Sequence, residues 1–199
     1  ILAAYMLGSV PTAVWTGKWF FGLDVREHGS GNAGATNAYR VLGPVAGIGV
    51  LLVDALKGVA AVSLAYLVRD YFSQPDYFVG FQFLLGLTVM IGHVFPVLAG
   101  FRGGKGVATL AGVLIVMFPG VVLICLGIFL LFFIPSRMVS LGSLAAAFAF
   151  PVIVIWIQPS ALLAEKIFAI LISLIVLLTH LKNIRRLIHG EESRIRFRK

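Results

Sequence analysis

Three polar islands interrupt an otherwise oily chain. The first reads Gly29-Ser30-Gly31-Asn32-Ala33-Gly34-Ala35-Thr36-Asn37-Ala38-Tyr39-Arg40, the second Phe101-Arg102-Gly103-Gly104-Lys105-Gly106, and the third His180-Leu181-Lys182-Asn183-Ile184-Arg185-Arg186. Glycines at 29, 31 and 34 allow a loop to turn successive N–H groups inward as a nest for an anion. Ser30, Asn32, Thr36 and Asn37 add neutral donors, and Arg40 can grip a phosphate through two parallel hydrogen bonds. No Gly-Lys-Ser/Thr follows at the required spacing, so this is not a Walker A loop. Gly103-Gly104-Lys105-Gly106 directly precedes a predicted helix, whose N-terminus offers unpaired N–H groups and positive potential. Lys105 and Arg102 add charge there. Phosphate binding suits both islands. Against it stand a re-entrant loop that satisfies its own polar groups and a flexible basic linker.

Further ionisable groups lie inside oily segments. His93 precedes Pro96, and His180 ends the last apolar run with Asn183 and Arg186 one and two turns later on roughly one face. Ionisable groups within a membrane are costly and are functional candidates, although a lone His is often structural. Asp54 and Lys57 stand three apart and are expected to form a buried, structural ion pair. Ser140 and Ser143 share a helical face after Arg137. They are either substrate donors or back-bonded to a carbonyl one turn earlier. The single Cys, Cys125, excludes an internal disulfide and reads as a small buried residue. The four scattered His suggest no metal site and no cofactor.

The elements that hold these groups are apolar helices. The 199 residues are 60% hydrophobic and 12% charged, with a net charge of +8, and the mean hydropathy is +1.02. Soluble chains are roughly 45–50% apolar and about 25% charged. Long unbroken apolar runs exclude the alternating strands of a membrane barrel. An all-α polytopic integral membrane protein is expected, with residues 1–199 as one domain and 187–199 as a basic tail. A span takes about 20 apolar residues. Val45–Val68, Tyr77–Ala99, Met138–Ile157 and Ala161–Thr179 qualify, and Ile1–Trp15 does if extended through Phe21 with Lys18 snorkelling. No basic region precedes the first apolar stretch, so no cleavable signal peptide is expected, and the start at Ile1 leaves open whether residues precede it. Alternating charge and apolar residues in Ser193–Lys199 suit an anchor on anionic lipid rather than a nucleic-acid contact.

Val107–Ile134 is ambiguous. As one helix its 28 residues would run about 42 Å, beyond the roughly 30 Å hydrocarbon core. A tight turn at Pro119-Gly120 would instead make two short spans of 12–14 residues. Charge parity favours the turn. With it there are seven transmembrane helices, N-terminus outside and C-terminus cytoplasmic. Lys18, Arg26, Arg40, Arg102, Lys105, Arg137 and the seven basic residues from Lys182 to Lys199 then share the cytoplasmic side. Arg69 and Lys166 lie opposite.

Taken together, Gly8-Ser9-Val10-Pro11, Gly29–Arg40, Asp54-x-x-Lys57-Gly58, Gly92-His93-x-Phe95-Pro96, Gly103–Thr109, Ser140-x-x-Ser143 and His180-x-x-Asn183-x-x-Arg186-Leu187 resemble the PlsY family over nearly the whole chain. These are bacterial membrane acyltransferases. The resemblance implies transfer of a fatty acyl group from acyl-phosphate to the 1-hydroxyl of glycerol-3-phosphate, giving lysophosphatidic acid and inorganic phosphate. That is the first acylation of bacterial phospholipid synthesis. It also implies seven spans in the bacterial inner membrane, a cytoplasmic active site and an upstream enzyme that makes acyl-phosphate; separately, a monomer is expected. Ser30, Arg40, Lys105, His180 and Asn183 are then expected to bind glycerol-3-phosphate. Asn32, Thr36, Asn37, Gly103, Gly104, Ser140 and Ser143 are expected to hold the acyl-phosphate head. His93 and Arg102 are further candidates. The proton acceptor is either His180 or a phosphate oxygen of the substrate. A transporter of phosphorylated solutes and a lipid-binding scaffold are the readings from other classes. The first lacks visible repeats, and the second leaves the glycine-bracketed basic loops unexplained.

Overall fold

The structure, a computed structural model, describes residues 1–158 and 161–195. The expected basic tail therefore lies partly outside the described residues, from 196 onward. The described chain is helical and forms two compact units, Ile1–Met117 and Phe118 onward.

The first unit contains α1 (Leu2–Ser9), α2 (Thr12–Phe21), α3 (Ala35–Leu42), α4 (Pro44–Ser63), α5 (Pro75–Val94) and α6 (Val107–Met117). The first apolar stretch, expected as one span, is broken between α1 and α2. Val10 is extended (φ −60°, ψ 109°) because Pro11 follows it. A proline disfavours helical geometry in the residue before it and supplies no N–H. Pro44 occupies the first turn of α4, where its missing N–H costs nothing. The α4–α6 crossing is made possible by small residues. A Cβ on Gly58 would collide with the Thr109 carbonyl, and one on Gly112 with that of Ala55. Ala13, Val14, Val25, Ala33, Ala38 and Val50 make a buried cluster beneath the first island.

The second unit contains α7 (Pro119–Ser136), α8 (Val139–Trp156), α9 (Leu163–Thr179) and α10 (Leu181–Ile188). The expected tight turn at Pro119-Gly120 is displaced. Phe118 makes the break (φ −137°, ψ 58°), and Pro119 and Gly120 begin α7. Proline's fixed φ and absent N–H suit a helix start better than a turn after a helix end. α7 is accordingly 18 residues rather than 12–14, and ends at Arg137 in the left-handed region (φ 58°). Phe118 packs against Phe150 and Phe168 at ring-centre distances of 5.7 and 6.5 Å.

Among the described residues, four segments are long and apolar enough to cross a membrane: Pro44–Tyr71, Pro75–Ala99, Pro119–Ser136 and Val139–Trp156. The pair α9 and α10, bent by 63°, makes a fifth if taken as one span. Exposed Leu51, Leu52 and Leu56 on α4, and Leu123, Leu131 and Ile134 on α7, give these helices a lipid-compatible surface.

Candidate functional site

In the first unit, the first island is shaped by Asn37, which is only 1% exposed. Its Oδ1 accepts the Ser30 N–H at 2.8 Å. Its Nδ2 donates to the carbonyls of Val25 at 2.7 Å and His28 at 3.1 Å. Both amide hydrogens are therefore committed inside the loop. The direct head-group contact expected of Asn37 is corrected to a shaping role. The Ser30 side chain is exposed, and Asn32, Thr36 and Arg40 are half-buried. Thr36 lies in the first turn of α3 and Arg40 in its last.

The second island folds back on the end of α5. Gly103 N–H donates to Val94 O, and Gly104 N–H to His93 O, each at 3.2 Å. Gly106 sits at φ 76°, a conformation that favours glycine. It turns the chain from Lys105 into α6. The two islands meet at Ala33 and Gly104, where a Cβ on Gly104 would stand 3.2 Å from Ala33 O.

An arginine that the sequence reading used only for charge ties them further. Arg26 forms a fork with Asp24, Nη2 to Oδ2 at 2.7 Å and Nε to Oδ1 at 3.0 Å. Its Nη1 donates to Ala99 O at 2.8 Å and reaches Arg102 O at 3.5 Å. Hydrogen bonding from Arg26 holds the Asp24 carboxyl well below the usual carboxylate range despite burial, and the same pairing pushes Arg26 up. Arg102 is exposed. Deeper, Lys57 Nζ meets Asp54 Oδ1 at 2.7 Å, the expected ion pair. His93 is buried beside Thr109, with Nδ1 and Oγ1 3.1 Å apart.

In the second unit, Ser140 and Asn183 converge on a carboxylate absent from the sequence-based set. Ser140 Oγ and Asn183 Nδ2 each donate to Glu192 Oε1 at 2.7 Å. Arg186 Nε donates to Oε2 at 2.8 Å. Burial acts to raise the Glu192 pKa, but the hydrogen bonds from Ser140, Asn183 and Arg186 outweigh it and lower it. Ser143, one turn beyond Ser140, is also buried. His180, 2% exposed, links α9 to α10. Its Nδ1 lies 2.8 Å from Val176 O. A carbonyl only accepts, so Nδ1 carries a proton, and whenever the ring is neutral its lone pair is on Nε2. Among the described residues, no three His, Cys, Asp or Glu side chains group to hold a metal ion.

Comparisons with known proteins match this architecture. The family model described as glycerol-3-phosphate acyltransferase matches residues 1–190. A protein of that name from Chlorobium phaeobacteroides (strain DSM 266) is 43% identical, over 98% of this chain and 94% of its own. One from Chlorobium limicola is likewise 43% identical, over 100% and 96%. The crystal structure of PlsY (YgiH), an integral membrane glycerol 3-phosphate acyltransferase, is similar in two forms. The glycerol 3-phosphate form has a TM-score of 0.87 and the lysophosphatidic acid form 0.82, each 33% identical over 98% of this chain and 93% of the other. With helices, polar islands and chain-long similarity in agreement, the chain belongs to the PlsY family of integral membrane glycerol-3-phosphate acyltransferases.

Proposed function

We propose that this enzyme transfers a fatty acyl group from acyl-phosphate to the 1-hydroxyl of sn-glycerol-3-phosphate, releasing lysophosphatidic acid and inorganic phosphate. The observation that carries the reading is the junction of two glycine-bracketed basic loops at Ala33 and Gly104. It is supported by a chain-long likeness to a protein crystallised in glycerol 3-phosphate and lysophosphatidic acid forms. The residues proposed to bind the acceptor are Ser30, Arg40, Lys105, His180 and Asn183. Asn32, Thr36 and Ser143 hold the acyl-phosphate head and the oxyanion that develops on its carbonyl, whereas Gly103 and Gly104, whose N–H groups go to Val94 and His93 carbonyls, and Ser140, whose hydroxyl proton goes to Glu192, shape the loops around it. Asn37 acts through the loop it shapes.

The proton balance closes between the two substrates. The hydroxyl oxygen bonds to the acyl carbon, the anhydride C–O bond breaks, and the hydroxyl proton ends on the departing phosphate. Phosphate monoanions lose their second proton near pH 6, so the leaving group is itself a competent acceptor. Acyl-phosphate is an activated anhydride, and positioning supplies most of the acceleration. The polar islands face the cytoplasm of a bacterial inner membrane, the chain crosses seven times and works as a monomer, and an upstream enzyme supplies acyl-phosphate.

The test is phosphate release from purified protein with acyl-phosphate and glycerol-3-phosphate, without CoA or metal. Acceptor-dependent release that is lost in Arg40→Ala and Lys105→Ala is expected. Turnover with acyl-CoA alone would overturn the donor assignment, and silence with both donors would overturn the acyl-transfer reading for this chain.

A further inference from the structure

We infer that the buried Asp54–Lys57–His93–Thr109 network positions the Gly103–Gly106 loop, and that His93 and Thr109 thereby set the affinity for glycerol-3-phosphate without touching it. The inference rests on the proposed assignment of Lys105 to the acceptor's phosphate. The loop hangs between two stems, the end of α5 and the start of α6. On the α5 stem, His93 and Val94 supply the carbonyls that accept the Gly104 and Gly103 N–H groups. The His93 ring also packs under the loop, where a Cβ on Gly104 would collide with Nε2. On the α6 stem, Thr109 follows Lys105 by four residues. Its hydroxyl meets His93 Nδ1 at 3.1 Å and so joins the two stems side chain to side chain.

This staple is anchored from α4. Asp54 Oδ1 lies 3.9 Å from His93 Nδ1, close enough to bias the ring's orientation by charge. Asp54 is held in turn by Lys57 at 2.7 Å. Lys57 Nζ also donates at 2.8 Å to Val10 O, at the break between α1 and α2. All four side chains are buried, and Thr109 is fully so. An ion pair so placed adds little net stability over well-packed apolar residues, because desolvation offsets its attraction. Its consequence is geometric. One connected set of polar contacts fixes α4, α5, α6 and the α1–α2 break around the stems of the Lys105 loop. A narrow cleft of ≈ 10 Å³, lined by His93, Thr12, Ala33, Gly103 and Gly104, opens at the same place. The ring of His93 thus lies at the junction of the two islands.

The test compares Thr109→Val, Thr109→Ser, His93→Gln and Lys105→Ala, each purified and scaled to folded protein by its thermal unfolding signal. KM for both substrates and kcat are measured by phosphate release. Thr109→Val and His93→Gln should raise KM for glycerol-3-phosphate about tenfold and change KM for acyl-phosphate by less than about twofold. Thr109→Ser, which keeps the hydroxyl, should restore the parent value. An unchanged acceptor KM in folded Thr109→Val, an equal rise for both substrates, or no rescue by serine would overturn the inference. If His93→Gln does not fold, the near-isosteric Thr109→Val decides alone, and failure of both to fold would reduce the network to structure and overturn it. Lys105→Ala separates the two levels. If it leaves acceptor KM unchanged, the loop assignment fails and this inference with it. If it raises acceptor KM while Thr109→Val does not, only the inference fails.

Discussion

Glu192 shows how one buried carboxylate can organise several candidate ligands. Ser140, Asn183 and Arg186 all donate to it, so their side chains are fixed before any substrate arrives. Replacing it by Gln removes the charge that Arg186 faces and weakens three charge-assisted bonds. Hydrogen bonds to charged groups contribute about 1.5–3 kcal/mol each in favourable cases, and a net loss of about 2 kcal/mol is expected, read as a lower thermal midpoint at pH 7. The pH dependence follows from the lowered folded-state pKa. Its contribution is full above the unfolded value of about 4.3 and is lost as pH falls through the folded value. Glu192→Gln should therefore flatten the acid limb of midpoint against pH. His180 offers a second residue-level outcome. Removing a general base typically costs about 10²–10⁴ in rate. If a phosphate oxygen takes the proton, His180→Gln should lower kcat at saturating substrate less than about tenfold and act mainly on acceptor KM. A larger kcat loss with unchanged KM would return the base role to His180.

Between elements, the Asp24–Arg26 fork decides how the first island meets the turn that leads to the second. Arg26 reaches Ala99 and Arg102 carbonyls more than 70 residues away in sequence. Lysine would keep the charge but not the planar fork that serves Asp24 and Ala99 together. Arg26→Lys should raise KM for glycerol-3-phosphate about five- to tenfold with a smaller change in kcat, measured by phosphate release; a tenfold change corresponds to about 1.4 kcal/mol. This contact marks the limit of what the sequence made legible. Glycine-bracketed basic loops, apolar runs and the Asp54–Lys57 pair follow from local chemistry and helical spacing, and all were readable. Arg26 is one more basic residue until the fold brings a carbonyl to it. Glu192 is one of two adjacent acidic residues in a basic tail until α8 and α10 converge on it. Asn37 looked like a ligand because its loop was visible and the loop's internal carbonyls were not. Pro119 was legible as a break, though its exact partition was not, and the break at Pro11 was missed because the first stretch was read as one span. Proline can end one helix or begin the next, and the backbone at Val10 and Phe118 is what distinguishes the cases.

For the whole molecule, charge and helix length pull in different directions. Seven crossings put thirteen of the 16 Lys and Arg on one side, as the positive-inside rule favours. Helix length alone gives four or five full spans among the described residues. The difference lies in short elements, above all α6, whose 11 residues rise only about 16 Å. A short helix crosses only where the bilayer thins or flanking residues complete the span. Positions 102 and 137 decide the matter, because they flank α6 and α7 and both are exposed. In a Cys125→Ala background, single Arg102→Cys and Arg137→Cys variants should resist a membrane-impermeant maleimide in intact spheroplasts and react after permeabilisation. Asp70→Cys and Glu165→Cys should react without it. Labelling of 102 and 137 from the same side requires an even number of crossings between them, and so makes α6 a crossing in its own right. Labelling from opposite sides would mean that residues 107–134 cross once, that the basic islands are divided between two compartments, and that charge parity had given the wrong topology.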